Sequence, residues 1–179
     1  MTLRWGFDSN VIPVPAGIQC IAVAGFLAIA QVAAAQSATF AVKQLTPETA
    51  LKAAQGALAA CRASGHQVAV AVVDRGGHAQ VMLRDRFAGA HTVETAINKA
   101  WTAVSFRTHT SDLEKATRPG TSMAGIRNLS RATAIGGGLM IEGGGSMMGA
   151  IGVSGAPGGD ADDACARAGI KAIADDLEF

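Results

Sequence analysis

The sequence predicts an α+β fold in which an antiparallel sheet is covered by helices. Three observations carry this. The apolar run VAVAVV at 68–73 is followed by the turn Asp74-Arg75-Gly76-Gly77 and an alternating stretch from His78 to Arg84, the pattern of a hairpin. Residues 135–160, IGGGLMIEGGGSMMGAIGVSGAPGGD, hold half of the chain's 22 glycines and place two short apolar runs around a turn at 143–145, a second hairpin. Stripes of helical period stand before, between and after these hairpins. Strands joined by tight turns are antiparallel, and helices between them must lie on the sheet.

The chain has 179 residues, the length of a single domain. Residues 18–35, IQCIAVAGFLAIAQVAAA, are apolar, follow Arg4, and end in Ala33-Ala34-Ala35 before Gln36-Ser37, a small-residue cleavage site. We therefore expect a signal peptide over 1–35, a flexible segment over 36–44 and one domain over 45–179. The mature protein would be periplasmic or secreted, with no membrane span after cleavage. Export changes the meaning of the cysteines. Cys20 leaves with the leader, and Cys61 and Cys165 remain, each in an alanine-rich helix. A disulfide between them and two separate buried thiols are both open. No C-x-x-C and no zinc spacing occurs.

The first helix starts at the N-cap Thr46 with Pro47 at its first position, carries the stripe Leu51, Ala54, Leu58, Cys61, and stops at Ser64-Gly65. The second runs from about His91 to Arg107. Val93, Ala96, Ile97, Ala100, Trp101 and Val104 form its core face, and Thr92, Thr95, Lys99 and Thr102 a second, polar stripe. A short helix follows, capped by Ser111 with Glu114 completing a capping box. Residues 118–134 form a long polar loop, a candidate lid bearing Arg127 and Arg131. Asp160, Asp162 and Asp163 crowd the first turn of the last helix, where they suit its dipole and repel phosphate.

Composition excludes several functions. Net charge is +1 and aromatics are 4%, so no basic, aromatic-laced patch for nucleic acid exists. No G-x-x-x-x-G-K-[ST], no dinucleotide-binding glycine motif and no G-x-S-x-G is present.

The site residues come from two strands and one helix. Along the second glycine-rich strand, Ala150, Gly152 and Ser154 share one face, which is almost bare backbone. Something packs close there: a flat ligand, a helix or another subunit. On the other hairpin, alternation places His78, Gln80, Met82 and Arg84 on one face. An imidazole, a thioether and a guanidinium suit a metalloporphyrin, because His or Met ligates haem iron and Arg pairs with a propionate. His78 and Met82 stand roughly 13 Å apart along a strand, so the two cannot ligate one iron from opposite sides. Lys99 offers a cation among hydroxyls, suited to a carboxylate. The residues expected to hold a cofactor are His78, Met82, Arg84, Lys99, Gly152 and Ser154, with His78 as the metal ligand.

Three motifs, AVVDRGGHAQVMLRDRFAGA, INKAWTAVSFRT and IGGG…GAIGVSGAPGGDADDACARAGIKAI, resemble in order the GlcG/HbpS family, which is related to the C-terminal domain of PduO. The resemblance spans about residue 45 to the C-terminus. It implies a profilin-like fold with a five-stranded antiparallel sheet between helices, assembly into homo-oligomers, and haem binding in some members, with haem-degrading or redox-sensing roles. His78 matches the family's Gly-Gly-His, and Lys99 its Lys-Ala-x-Thr-Ala. The family's usual Arg-Met-Asp-Gly-Ala is here Arg86-Phe87-Ala88-Gly89-Ala90, so the acidic residue is missing at Ala88. The expected function is an exported, oligomeric haem-binding protein, a carrier or redox-sensing accessory. An enzyme acting on haem or a small carboxylate, and a structural or partner-binding module, are the alternatives.

Overall fold

The computed structural model describes residues 38–178. The expected leader lies outside the described residues. Four helices and four strands follow in order: α1 (Pro47–Ala63), β1 (Ala69–Asp74), β2 (Ala79–Arg84), α2 (Thr92–Phe106), α3 (Thr110–Ala116), β3 (Gly138–Gly143), β4 (Ser146–Ser154) and α4 (Gly159–Lys171). Short 3-10 turns occupy Ala124–Asn128 and Ala174–Leu177. The strands form one antiparallel sheet in the order β2-β1-β4-β3. Among the described residues no helix is long and apolar enough to cross a membrane.

α1 starts as its sequence dictates, with the Thr46 hydroxyl accepting from the Thr49 amide at 3.2 Å and Pro47 in the first turn. Its buried face differs from the expected stripe. Leu51 is exposed, and Ala50, Ala53, Ala54 and Ala57 are buried with Leu58 and Cys61. Small side chains let α1 lie close against α4, and there Cys61 and Cys165 are joined in a disulfide with Cα atoms 5.4 Å apart. This settles the open choice between bridge and free thiols.

Two layers sandwich the sheet. Val70, Val72, Leu139, Ile141, Met148, Ile151 and Val153 pack with α1 and α4. Ala69, Ala71, Val73 and Ala150 pack beneath α2, with Met82, Met140 and Met147 around them. The bare face of β4 is therefore covered by the chain's own helix, one of the three coverings that its glycines allow. A Cβ at Gly152 would stand 2.0 Å from the Ala96 carbonyl oxygen and 2.8 Å from the Ala100 amide nitrogen. Those atoms are helix backbone and cannot swing away. Gly152→Ala is expected to cost about 3 kcal/mol or more, the upper range for overpacking. Gly125→Ala, with nothing within 4 Å of its Cβ, is expected to stay within about 0.5 kcal/mol. Urea midpoints of the two variants check the contrast.

The described residues form four strands where five were expected. The β3 edge is closed by side chains of α3 and the residue before it. Thr110 Oγ1 accepts from the Gly138 amide at 2.8 Å, and His109 Nδ1 accepts from the Met140 amide at 3.2 Å. Amides already bonded leave no ladder for another strand. At the β2 edge, the Gln80 side-chain amide donates to the Leu45 carbonyl at 3.0 Å. The loop between α3 and β3 forms a 3-10 turn, and its arginines serve the fold. Arg127 donates to the carbonyls of Thr117 and Glu114 at 2.8 and 3.0 Å, and Arg131 stacks over Trp101 at 4.7 Å. The expected capping box is replaced: His109 precedes α3, and Glu114 instead accepts from the Gly136 amide at 3.2 Å.

Candidate functional site

Lys99 is buried in α2 at 3% exposure. Its ammonium donates to Asp162 Oδ2 at 2.7 Å and to the Val153 carbonyl at 3.0 Å. The carboxylate that Lys99 receives is thus the chain's own. Burial pushes the Asp162 carboxyl up, and the Lys99 ammonium and the Ala156 amide pull against that rise. Asp163 is buried beside it and accepts from the Gly137 amide. These two aspartates, expected to serve the helix dipole, tie α4 to α2 and to the glycine run before β3. The hydroxyl stripe is likewise consumed internally: Thr92 donates to the Gly89 carbonyl at 2.7 Å, and Thr102 donates to Asn98 and accepts from the Thr133 amide.

The sequence-predicted site residues are not brought together. Lys99, Gly152 and Ser154 lie inside the α2 layer, out of reach of a guest. A register shift between Val72 and Val73 puts an extra residue, Gln80, into β2, and its amide reaches the α1 side while Met82 packs on the α2 side. Strict alternation from His78 to Arg84 therefore fails. Arg84 donates to the Ala88 carbonyl. His78 lies in the turn before β2 with its side chain 83% exposed. Asp74 Oδ1 organises that turn, accepting from the amides of Gly76 and His78 at 2.8 and 2.9 Å, with His78 Nδ1 3.4 Å away. Burial works against the Asp74 carboxylate, but the two amides and the His78 ring outweigh it and leave its pKa lowered.

The turn that Asp74 holds presents Arg75 to a cleft of about 280 Å³ at one end of the sheet. Arg75 meets there Arg107 from the end of α2, and Met140, Glu142, Ser146 and Met147 from the β3–β4 hairpin. Neither guanidinium has a side-chain hydrogen bond or ion pair among the described residues. Glu142 is the one carboxylate in the lining, so the cleft carries an excess of one positive charge. Arg107 has φ 49°, the single non-glycine residue with positive φ among the described residues. Glycine is the usual occupant of that position after a helix, so the chain bears strain where this cation sits. Met147 reaches the cleft through a second irregularity. The β3–β4 register skips Met148 between Ile141↔Gly149 and Glu142↔Met147. Met148 consequently turns to the α1 side, and Met147 joins Met140 on the α2 side. Sequence reasoning missed all four residues. The signals were a helix ending at Arg107 without a following glycine, and a methionine doublet beside a glycine turn.

A larger cleft of about 550 Å³ lies between α3 and the start of α4, with His109, Glu114, Arg118, Asp163 and Arg167 in its walls. Its charges are of both signs, and Glu114 and Asp163 already hold backbone amides. Among the described residues no three His, Cys, Asp or Glu side chains cluster as a metal site would require. Of these two clefts, only the smaller brings two guanidiniums without a side-chain partner together with thioether sulfurs.

The family model described as haem degrading protein HbpS-like matches residues 45–171. The crystal structure of a double mutant of Streptomyces reticuli HbpS is 38% identical, with a TM-score of 0.71, covering 78% of this chain and 94% of that one. The crystal structure of the PduOC:Heme complex is 27% identical with a TM-score of 0.68, covering 73% of this chain and 95% of that one. An uncharacterized 15.0 kDa protein from the dhaT-dhaS intergenic region of Citrobacter freundii is 34% identical over 116 residues, 64% of this chain and 82% of its own length. With a family match over most of its length and relatives that share its fold, this chain belongs to the HbpS-like family.

Proposed function

We propose that this protein binds haem, and that it does so outside the cytoplasm as a homo-oligomer, serving as a carrier or redox-sensing accessory. The observation that carries the reading is the cleft with two unpaired guanidiniums, Arg75 and Arg107, beside two half-buried thioethers. A bare metal cation would be repelled by the arginines, and a simple anion would have no use for sulfur. Haem combines two propionates with a soft-ligand-accepting iron, and so uses both. Family membership and the haem complex of the PduOC relative support the same guest. His78 stands on the same turn as Arg75 and is the imidazole candidate for the iron, and Met82 and Arg84 lie further along β2.

Export is supported by the leader-like sequence at 1–35 and by the Cys61–Cys165 bridge, which suits an oxidising compartment. Assembly is supported by Met123, Leu129 and Ile135, apolar side chains left exposed along one loop. Haemin added to the purified mature protein is expected to give a saturable, shifted Soret band. Arg107→Ala is expected to weaken binding by about 1.5–3 kcal/mol, the range for hydrogen bonds to charged groups. A wild-type protein that leaves the haemin spectrum unchanged would sink the reading. Steady loss of the band with a reductant would instead mark an enzyme acting on haem.

A further inference from the structure

Beyond the haem reading, we infer that the larger cleft, between α3 and the start of α4, binds a small zwitterion: a molecule with a primary ammonium at one end and a carboxylate at the other. The way three of its side chains are held points to this. His109 Nδ1 accepts from the Met140 amide at 3.2 Å, Glu114 Oε2 from the Gly136 amide at 3.2 Å, and Asp163 Oδ1 from the Gly137 amide. One stretch of backbone, 136–140, thus anchors all three. Each spends one polar atom on that anchor and keeps a second. Because the imidazole accepts at Nδ1, the proton of the neutral ring sits on Nε2, a donor that meets no partner among the described residues. Glu114 Oε1 likewise accepts nothing there. Asp163 Oδ2 has only Arg167, 3.8 Å away on a side chain 63% exposed. All three residues line the cleft of about 550 Å³.

Depth sorts the charges. Asp163 is buried, His109 and Glu114 are half-buried, and Arg118 is exposed at the mouth. The Arg118 side chain has no hydrogen bond or ion pair among the described residues. A desolvated carboxylate is costly to leave short of donors. An ammonium has three donors and no acceptor, and so suits the two spare carboxylate oxygens. A carboxylate at the ligand's other end suits the Arg118 guanidinium and the His109 Nε2–H. A simple anion would be repelled by Glu114 and Asp163, and a simple amine would leave Arg118 unused. A metal ion lacks its ligand set, since no three His, Cys, Asp or Glu side chains cluster among the described residues. Held by backbone amides, the three inner side chains have little freedom left to lose on binding.

The test titrates glycine, β-alanine, γ-aminobutyrate and ε-aminocaproate into the mature, full-length chain without haemin, read by calorimetry. These probes differ only in the spacing of their two charges. One spacing is expected to bind best and saturably. Butylamine and butyrate, each with one of the two charges, are expected to bind at least about tenfold more weakly, the lower end for a lost hydrogen bond to a charged group. Arg118→Ala is expected to lose the same factor and to melt as wild type, because that side chain holds no internal partner. Glu114→Gln is expected to lose it too, while its amide oxygen still accepts from Gly136. Arg86→Ala, exposed and outside the cleft, is the control and is expected to bind as wild type. Haemin added to Arg118→Ala is expected to give the wild-type Soret shift. If no probe binds, if butylamine binds as tightly as the best zwitterion, or if Arg118→Ala binds that zwitterion as wild type does, the assignment falls and the haem reading is untouched. If Arg118→Ala loses the Soret shift as well, the cleft belongs to haem and the zwitterion assignment falls. Zwitterion binding by a wild type that ignores haemin would overturn the haem reading alone.

Discussion

Lys99→Met is expected to lower the unfolding free energy by about 3–5 kcal/mol, the cost of breaking a buried pair by removing one partner. The ammonium and the Asp162 carboxylate are both buried, 2.7 Å apart, with side chains 3% and 4% exposed. Without the lysine, the carboxylate keeps one bond, from the Ala156 amide at 3.0 Å, and the Val153 carbonyl loses its donor. A second variant separates charge from packing. In Lys99→Met/Asp162→Asn the charge is gone and an amide oxygen still meets Ala156, so more than half of the loss is expected to return. Replacing both members of a buried pair is commonly near neutral, whereas orphaning one is not.

The pH dependence follows with a defined sign. The Asp162 carboxyl is raised above its ordinary 3.8 by burial, and Lys99 opposes that rise. Removing Lys99 removes the opposition, so the folded-state value climbs further. A raised carboxyl contributes stability that is present below 3.8 and is lost as pH rises through the folded value. The deficit of Lys99→Met relative to wild type is therefore expected to shrink as pH falls from neutral toward about 4. Urea unfolding at several pH values reads it. Equal deficits for the single and double variants, or a deficit independent of pH, would show that Lys99 acts through packing alone.

The order of helices and hairpins was legible because each rests on local chemistry: the Thr46 cap, the apolar run of β1, the glycine turn before β4. What local patterns do not contain is the partner 63 residues away. Lys99 looked like a cation awaiting a guest because Asp162 lies in another helix, and the aspartates looked like dipole partners for the same reason. The glycine-lined face of β4 announced close approach, and α2 proved to be what approaches. Parity of strand faces failed at the two bulges, Gln80 and Met148. A bulge is one residue of slack, invisible to a period-2 count, yet it decides which of two neighbouring methionines points at the cleft. The haem expectation came from the His78, Met82, Arg84 alternation and again from the family resemblance, which matched His78 and Lys99 by position. The structure puts one in solvent and the other in the core.

Cutting the Cys61–Cys165 bridge is expected to cost as much as losing the ion pair. The bridge spans 104 residues, from the end of α1 to α4, and so encloses the whole sheet. Chain-entropy reckoning assigns closure of a 100-residue loop about 4.7 kcal/mol. The mechanism is a smaller unfolded ensemble, so the folded contacts of a Cys61→Ala/Cys165→Ala variant should change little. At about 2–4 °C for each kcal/mol in a domain of this size, the melting temperature should fall by roughly 10–20 °C. Reductant should lower the wild-type melt by a similar amount and leave the variant unmoved. Thiol titration of the unreduced, denatured mature protein should find neither Cys61 nor Cys165 reactive. Two reactive thiols, or a melt indifferent to reductant, would remove the bridge and with it the structural support for an oxidising compartment. The haem reading would survive that result, because the cleft at the far end of the sheet contains neither cysteine.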